Sequence, residues 1–216
     1  MNISNQNNYR PNFKAIKVAT TQNIIGKKAT NIDLYRIQKE DRDFLLNLKN
    51  KIDYKKFFPN LHTLAIDKWK HILDYCVNCA VTPEHTTYVA INDGKPSGII
   101  SYTYDRSGIY LSGICSIPTE IEKKVQYGGQ TMFLQLFKDA LDGDVKNISL
   151  SAINNGPFNV VNKYEKLGFT KDPASYPYTK MVCNKYKIKE KVKELSEYIN
   201  YEASEPEKVN LNQFLN

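Results

Sequence analysis

The sequence has no apolar run near the length of a membrane span, which needs roughly 18 consecutive apolar residues. Its first ten residues are rich in asparagine and hold no apolar stretch of the kind that secretory signals carry. Both absences argue against a membrane partner.

Cysteine and histidine are scarce, with four and three copies in 216 residues. Cys76 and Cys79 form a lone C-x-x-C motif, and His62, His71 and His85 do not supply a second ligand pair at zinc-site spacing. Helical spacing places both thiols on one face, which favours packing as free thiols over a redox or metal role. We expect no metal, and a reducing compartment such as the cytoplasm fits this usage.

Positive charge is in excess: 30 Lys and Arg face 23 Asp and Glu, for a net charge of +7 and a pI of about 9.0. The lysines are densest over residues 49–56 and 185–193. A basic surface attracts anions, including nucleic acid and phosphorylated cofactors, but does not choose among them. The sequence has no helix-turn-helix, no aromatic RNA-binding motif and no zinc-finger spacing, so nucleic acid is disfavoured as a partner.

Composition and patterning suggest one folded domain with tails. Residues 1–30 are polar and weakly periodic, and we expect a flexible N-terminal arm there. Residues 31–184 carry the alternating and helical patterns of one α/β (α+β) domain. Residues 185–216 predict a lysine-rich helix over 187–200 and then a loose tail.

The order of elements within the domain follows from hydrophobic period and turn residues. A strand at 32–37 and two helices at 40–52 and 61–81 come first. Three strands at 86–92, 97–104 and 109–117 then form an antiparallel meander whose first turn is Asp93-Gly94. A helix at 131–141, a strand at 147–153, a helix from Pro157 to Gly168 and a strand at 178–183 complete it. The sum is a mixed, mostly antiparallel sheet flanked by helices.

A glycine pair precedes the most strongly amphipathic helix. Gly128 and Gly129 lie just before it, within Gln126-Tyr127-Gly128-Gly129-Gln130-Thr131. Glycines allow close approach of a ligand, and a helix start offers unpaired N–H groups that attract anions. The segment is therefore a candidate pyrophosphate site. A plain turn before a helix explains the same residues.

A second segment, Lys163-Tyr164-Glu165-Lys166-Leu167-Gly168-Phe169, resembles the signature near the end of GNAT N-acetyltransferases. The glycine pair and the order of elements over residues 31–184 are similar to the same family. By its pattern alone Tyr164 lies on the apolar face of a helix, where a tyrosine is more often part of the core. The resemblance implies the GNAT acyl-CoA N-acyltransferase fold and acetyl-CoA as the cosubstrate.

The resemblance also implies roles for residues. Tyr164 would protonate the departing thiolate, a step for which a positioned hydroxyl is suited, and Asn155 would contact the arm of acetyl-CoA. The pantetheine arm would lie along Cys115, Ser116 and Ile117. The pyrophosphate would be held by Gln126, Tyr127, Gly128, Gly129, Gln130 and Thr131. The reaction implied is direct attack by a primary amine of a small-molecule or peptide acceptor, in a monomer or a homodimer.

The proton acceptor for the amine is less well indicated. Glu120 follows the third meander strand and is the first candidate, while Glu84, His85 and a water relay are alternatives. Val125 and Gln130 stand where the family usually has Arg or Gln and Gly or Ala. Two other functions therefore stay open: a basic GNAT-like module that binds nucleic acid or protein, and a catalytically silent acyl-CoA binder.

Overall fold

The computed structural model describes residues 14–24, 29–119, 125, 127–153, 160–173 and 179–215. They form a nine-stranded sheet with the strand order β7-β8-β6-β5-β4-β3-β2-β1-β9. The strands are β1 Ala15–Asn23, β2 Thr30–Arg36, β3 His85–Asn92, β4 Lys95–Asp105, β5 Gly108–Ser116, β6 Asn147–Ala152, β7 Thr170–Lys171, β8 Thr179–Asn184 and β9 Ile199–Val209. The helices are α1 Arg42–Lys51, α2 Tyr54–Phe57, α3 Thr63–Ala80, α4 Gly128–Asp142, α5 Val161–Lys166 and α6 Lys185–Ser196.

Neighbouring strands pair antiparallel everywhere except between β5 and β6, which run parallel. The meander of β3, β4 and β5 is confirmed. Its first turn places Asp93 and Gly94 both at positive φ, 47° and 72°, which is the backbone that a two-residue hairpin turn with a right-handed twist requires. The predicted mixed, mostly antiparallel sheet flanked by helices is likewise confirmed.

Two hydrophobic cores cover the two faces of the sheet, because successive side chains of a strand point to opposite sides. On one face, Tyr88 and Ile100 pack with α4, α5 and α6. On the other face, Val89 and Ile99 pack with α1 and α3. The cores meet where β5 and β6 separate, and the candidate site lies there.

The prediction of a flexible arm over residues 1–30 is wrong for Ala15–Asn23, which forms β1 between β2 and β9. The buried positions of β1 are Ala15, Ala19, Thr21 and Asn23. Small and polar residues at the buried positions give no alternation of large apolar side chains, and that alternation is the signal by which a strand is recognised in sequence.

The loose tail expected from Glu202 onward is also wrong, because Ile199–Val209 forms the edge strand β9. The predicted helix is present but shorter, as α6 ends at Ser196. Only Ile199 and Val209 of β9 are buried, and its register shifts around Pro206, which has no N–H to donate. Charged residues and a proline are typical of an edge strand, and they replace the alternation of apolar residues by which a strand is predicted.

The four cysteines are all buried, and none forms a disulfide in this structure. Among the described residues, no three His, Cys, Asp or Glu side chains lie close enough together to hold a metal ion. No helix in the described part of the chain is long and apolar enough to cross a membrane.

Candidate active site

The site begins where two parallel strands separate. β5 and β6 pair only from Ile109 to Leu111 and from Ile148 to Leu150. Immediately afterwards the register of β5 against β4 shifts. Leu111 pairs with Tyr102 and Gly113 pairs with Ser101, so Ser112 between them is an extra residue on β5. A bulge of this kind bends a strand and increases its twist. β5 therefore continues to Ser116 away from β6, and a wedge opens between them.

One side of the wedge is occupied by α5, whose end has the geometry of a Schellman cap. The N–H of Phe169 donates to the carbonyl of Tyr164 at 3.0 Å, and the N–H of Gly168 donates to that of Glu165 at 3.0 Å. Gly168 has φ +88°, a backbone conformation that strongly favours glycine. The spacing of Tyr164, Gly168 and Phe169 in the sequence is therefore the spacing that a Schellman cap requires.

That cap holds Tyr164 at the wedge. The Tyr164 ring packs edge-on against Phe133 of α4 and against Phe169, with centroids 5.9 Å away in each case. Its hydroxyl has no hydrogen-bond partner among the described residues. Burial raises the pKa of Tyr164 to about 12, and the nearby Cys76 thiol adds to the rise. The phenol is therefore protonated at neutral pH and available as a donor.

The other side of the wedge is the start of α4. Tyr127 caps this helix with the left-handed backbone, at φ 61° and ψ 6°. The N–H of Thr131 donates to the carbonyl of Tyr127, four residues earlier, at 2.9 Å, which begins the helical hydrogen-bond pattern. Gly129 and Gln130 precede it in the first turn. A Cβ on Gly129 would meet no atom within 4 Å, so this face of the turn is open.

A cavity of about 740 Å³ joins these elements. Ligand sites in proteins have volumes of roughly 300–1,000 Å³ and are mainly apolar with a few polar groups. Its apolar lining includes Phe133 and Ile114 from one core, Trp69 and Ile72 from the other, and also Ala65 and Val160. The charged lining consists of Lys163, Lys166, Lys191 and Glu194. The cavity is therefore lined mainly by apolar side chains, and three of these four charged residues are lysines.

Several residues predicted from the sequence meet at this cavity. Its lining includes Cys115, Ser116, Gly129, Gln130 and Tyr164. The other predicted residues that the structure describes do not line the cavity. Tyr127 caps α4, and Gly128 lies against Val125. Thr131 is 1% exposed, and Ile117 packs in the core that includes α1 and α3. Glu120, Gln126 and Asn155 lie outside the described residues, so their roles stay predictions.

The alternative proton acceptors lie elsewhere. His85 of β3 is 3.0 Å from the Ser112 hydroxyl through its Nε2 atom, and neither His85 nor Glu84 lines the cavity. The Nδ1 atom of His85 is buried without a partner in the described part of the chain. Burial lowers the pKa of His85, against the opposing effect of Glu84. The imidazole is therefore uncharged at neutral pH.

Sequence reasoning missed the contribution of the C-terminal segment. α6 packs on the same face as α4 through Ile188 and Leu195, and it presents Lys191 and Glu194 to the cavity. Tyr198, just after α6, lines the cavity as well and packs on the ring of Tyr127 at a centroid distance of 5.5 Å. A helical stripe in residues 187–200 indicated a packed helix, but no motif in it indicated a ligand site.

Comparison with known proteins supports the fold and little beyond it. No family model matches this sequence, and no curated protein sequence matches it. Among solved structures, the apo form of FdhC, described as a nucleotide-linked sugar GNAT, is 15% identical with a TM-score of 0.53, over 87% of this chain and 98% of that one. An uncharacterised protein from Bacillus halodurans is 12% identical with a TM-score of 0.51, over 78% and 91%.

A third solved structure is the PaiA N-acetyltransferase of Thermoplasma acidophilum in complex with coenzyme A. It is 16% identical with a TM-score of 0.49, over 71% of this chain and 98% of that chain. At such identities a likeness shows the fold alone. The sheet, its splayed parallel pair and the FdhC likeness together establish that this chain has the fold of the GNAT N-acetyltransferases.

Proposed function

We propose that this protein is an N-acetyltransferase that transfers the acetyl group of acetyl-CoA to a primary amine. The observation that carries the proposal is the position of Tyr164, a protonated phenol at the wall of a cavity between β5, α4 and α5. On one side of this cavity lies the first turn of α4, which includes Gly129 and has backbone N–H groups without helical partners. Most of the charged residues that line the cavity are lysines. This combination suits a thioester on a long, phosphorylated carrier.

The chain offers a distinct group to each part of that molecule. The first turn of α4, with Gly129 and Gln130, faces the cavity and favours phosphate through its N–H groups and the helix dipole. Ser116 and Cys115 end β5 at the cavity and offer an extended backbone edge to the pantetheine arm, which carries amides. Trp69 and Ile72 of α3 supply apolar surface opposite.

Bound acetyl-CoA would supply an activated acetyl group. Attack by the amine forms the N–C bond and breaks the C–S bond, and Tyr164 would donate its phenolic proton to the departing sulfur. The proton that the amine nitrogen loses would pass to water, and water would return a proton to the phenolate. A hydroxyl with a pKa of about 12 retains its proton until the leaving group needs it. The apolar side chains of Phe133 and Trp69 line the cavity and would reduce the access of water, which competes with the amine. The acceptor is a small-molecule or peptide amine that this cavity admits beside the arm.

The test is the Tyr164→Phe variant, assayed for release of free thiol from acetyl-CoA with a panel of polyamines, amino acids, aminoglycosides and peptides. Removing the acid while keeping the ring should lower kcat about 100-fold, the lower range for one acid-base group, and leave the Kd for acetyl-CoA nearly unchanged. Tyr186→Phe, at a position 75% exposed on α6, is the matched control and should behave as wild type.

Equal turnover by wild type and Tyr164→Phe would assign Tyr164 a structural role only. Binding of acetyl-CoA without thiol release by the wild type, across the whole panel, would favour the silent acyl-CoA binder instead. The edge-on contacts to Phe133 and Phe169 do not need the hydroxyl, so we expect the two proteins to unfold at similar temperatures.

A further inference from the structure

Two similar ion pairs follow one another on α6, and only one of them faces the cavity. Lys187 pairs with Glu190 at 2.8 Å, and Lys191 pairs with Glu194 at 2.5 Å, both with i,i+3 spacing. The Lys187 side chain is 43% exposed, whereas that of Lys191 is 15% exposed. Of these four residues, Lys191 and Glu194 line the cavity.

The stem of Lys191 lies on the turn that fixes Tyr164. A Cβ placed on Gly168 would approach the Cγ atom of Lys191 to 3.2 Å. Lys163 and Lys166, from the helix that this turn ends, line the same cavity. Three lysines from two helices thus line one cavity, and Glu194 is the single acidic residue among its lining residues within the described chain.

We propose that Lys191 is a phosphate ligand for the acyl-CoA cosubstrate, and that its ammonium group exchanges Glu194 for a phosphate oxygen when the carrier binds. This proposal rests on the function proposed above and extends it to the C-terminal helix. Lys163 and Lys166 flank the same phosphates. The consequence is selectivity for the phosphorylated carrier over short thioesters that end in the same pantetheine-like arm.

The exchange replaces a weak ion pair with a stronger charged contact. An ion pair within one helix whose acidic partner is half exposed contributes little stability, because water and salt screen it. The phosphates of the carrier together offer more negative charge and more acceptor oxygens than one carboxylate, and charge-assisted hydrogen bonds to them are strong. Only 15% of the Lys191 side chain is exposed, so ordering it around a ligand costs little further rotamer entropy.

The experiment compares Lys191→Met with Lys187→Met, since methionine keeps most of the stem and removes the charge. Calorimetric titration with acetyl-CoA should show a Kd raised about tenfold for Lys191→Met, the lower end for a hydrogen bond to a charged group. Lys187→Met should bind as wild type. Turnover of S-acetyl-N-acetylcysteamine, a thioester without phosphate, should fall much less in Lys191→Met than turnover of acetyl-CoA at low concentration.

Further readouts separate a phosphate contact from a folding effect. Lys191→Arg keeps the charge and should retain most of the affinity, and thermal unfolding of each variant reports its stability. The slope of log Kd against log salt should be shallower for Lys191→Met, because one ionic contact is lost. Wild-type affinity in Lys191→Met, or an equal loss with the phosphate-free thioester, would overturn the proposal. No binding of acetyl-CoA to wild type would overturn the proposed function itself.

Discussion

The ring of Tyr164 lies edge-on to that of Phe169 at 5.9 Å, and the Phe169 N–H donates to the Tyr164 carbonyl. The two ends of the most informative sequence segment therefore contact each other through both backbone and side chain. In a Schellman cap, an apolar contact between these two positions is frequent. The segment is recognisable because a helix cap and a positioned phenol depend on the same few residues.

The cap makes a prediction about stability. Gly168→Ala should destabilise the protein by about 1–2 kcal/mol, because a residue with a Cβ is strained at φ +88°. The added Cβ would also press on Lys191. Urea unfolding followed by tyrosine fluorescence or circular dichroism measures the change. A loss below about 0.5 kcal/mol would show that the turn relaxes to another conformation.

Gly129→Ala is the matched comparison, since it introduces the same methyl group where no atom lies within 4 Å. Gly129 is in the first turn of α4, so alanine should leave stability unchanged or raise it by up to about 1 kcal/mol. Its Cβ would project from a cavity-lining residue, and we expect weaker binding of acetyl-CoA in a folded protein. Unchanged affinity would place the phosphates away from this turn.

His85 predicts a pH dependence of stability. Burial lowers its pKa in the folded state below the value in the unfolded chain, with only Glu84 acting in the other direction. As pH falls through about 6.5, the unfolded chain therefore takes up a proton that the folded protein resists, and stability falls. This contribution is present above the unfolded pKa and is lost on acidification.

The measurement for His85 is denaturant unfolding at pH 7.5, 6.5 and 5.5. His85→Gln retains an amide that can reach Ser112, and its stability should fall less between pH 7.5 and 5.5 than that of wild type. His71→Gln, at an exposed position on α3, is the control and should follow wild type. Parallel curves for His85→Gln and wild type would contradict a buried, uncharged imidazole.

Tyr164 predicts the alkaline side of the rate profile. With a pKa of about 12, its hydroxyl keeps the proton throughout the range from pH 8 to pH 10. Loss of this proton should therefore cause no fall in kcat/KM over that range. Comparison with Tyr164→Phe isolates the effect: a fall near pH 9 that occurs in wild type and vanishes in the variant would mean that the phenol ionises earlier.

The central part of the fold was predictable because its sequence signals are local. The Asp93-Gly94 turn is an example, since two positive φ values in a row demand these residue types. The same holds for α4, whose apolar stripe has helical period. β1 was missed because alanine, threonine and asparagine fill its buried positions, and β9 because charges and Pro206 dominate an edge strand.

The candidate site was predictable only in part. Tyr164 and Gly129 belong to short segments whose residue types reveal a cap and a helix start. Lys191 and Tyr198 reach the cavity through the packing of α6 on α4, a contact between distant parts of the chain. No local pattern encodes such a contact, so the charged lining from α6 emerges only from the structure.

The most direct test of the account is a calorimetric titration of the wild-type protein with acetyl-CoA. We expect saturable binding at one site per chain, weakened by Lys191→Met and Gly129→Ala and nearly unchanged by Tyr164→Phe. Absence of heat at millimolar acetyl-CoA, or binding that is indifferent to both cavity variants, would contradict it.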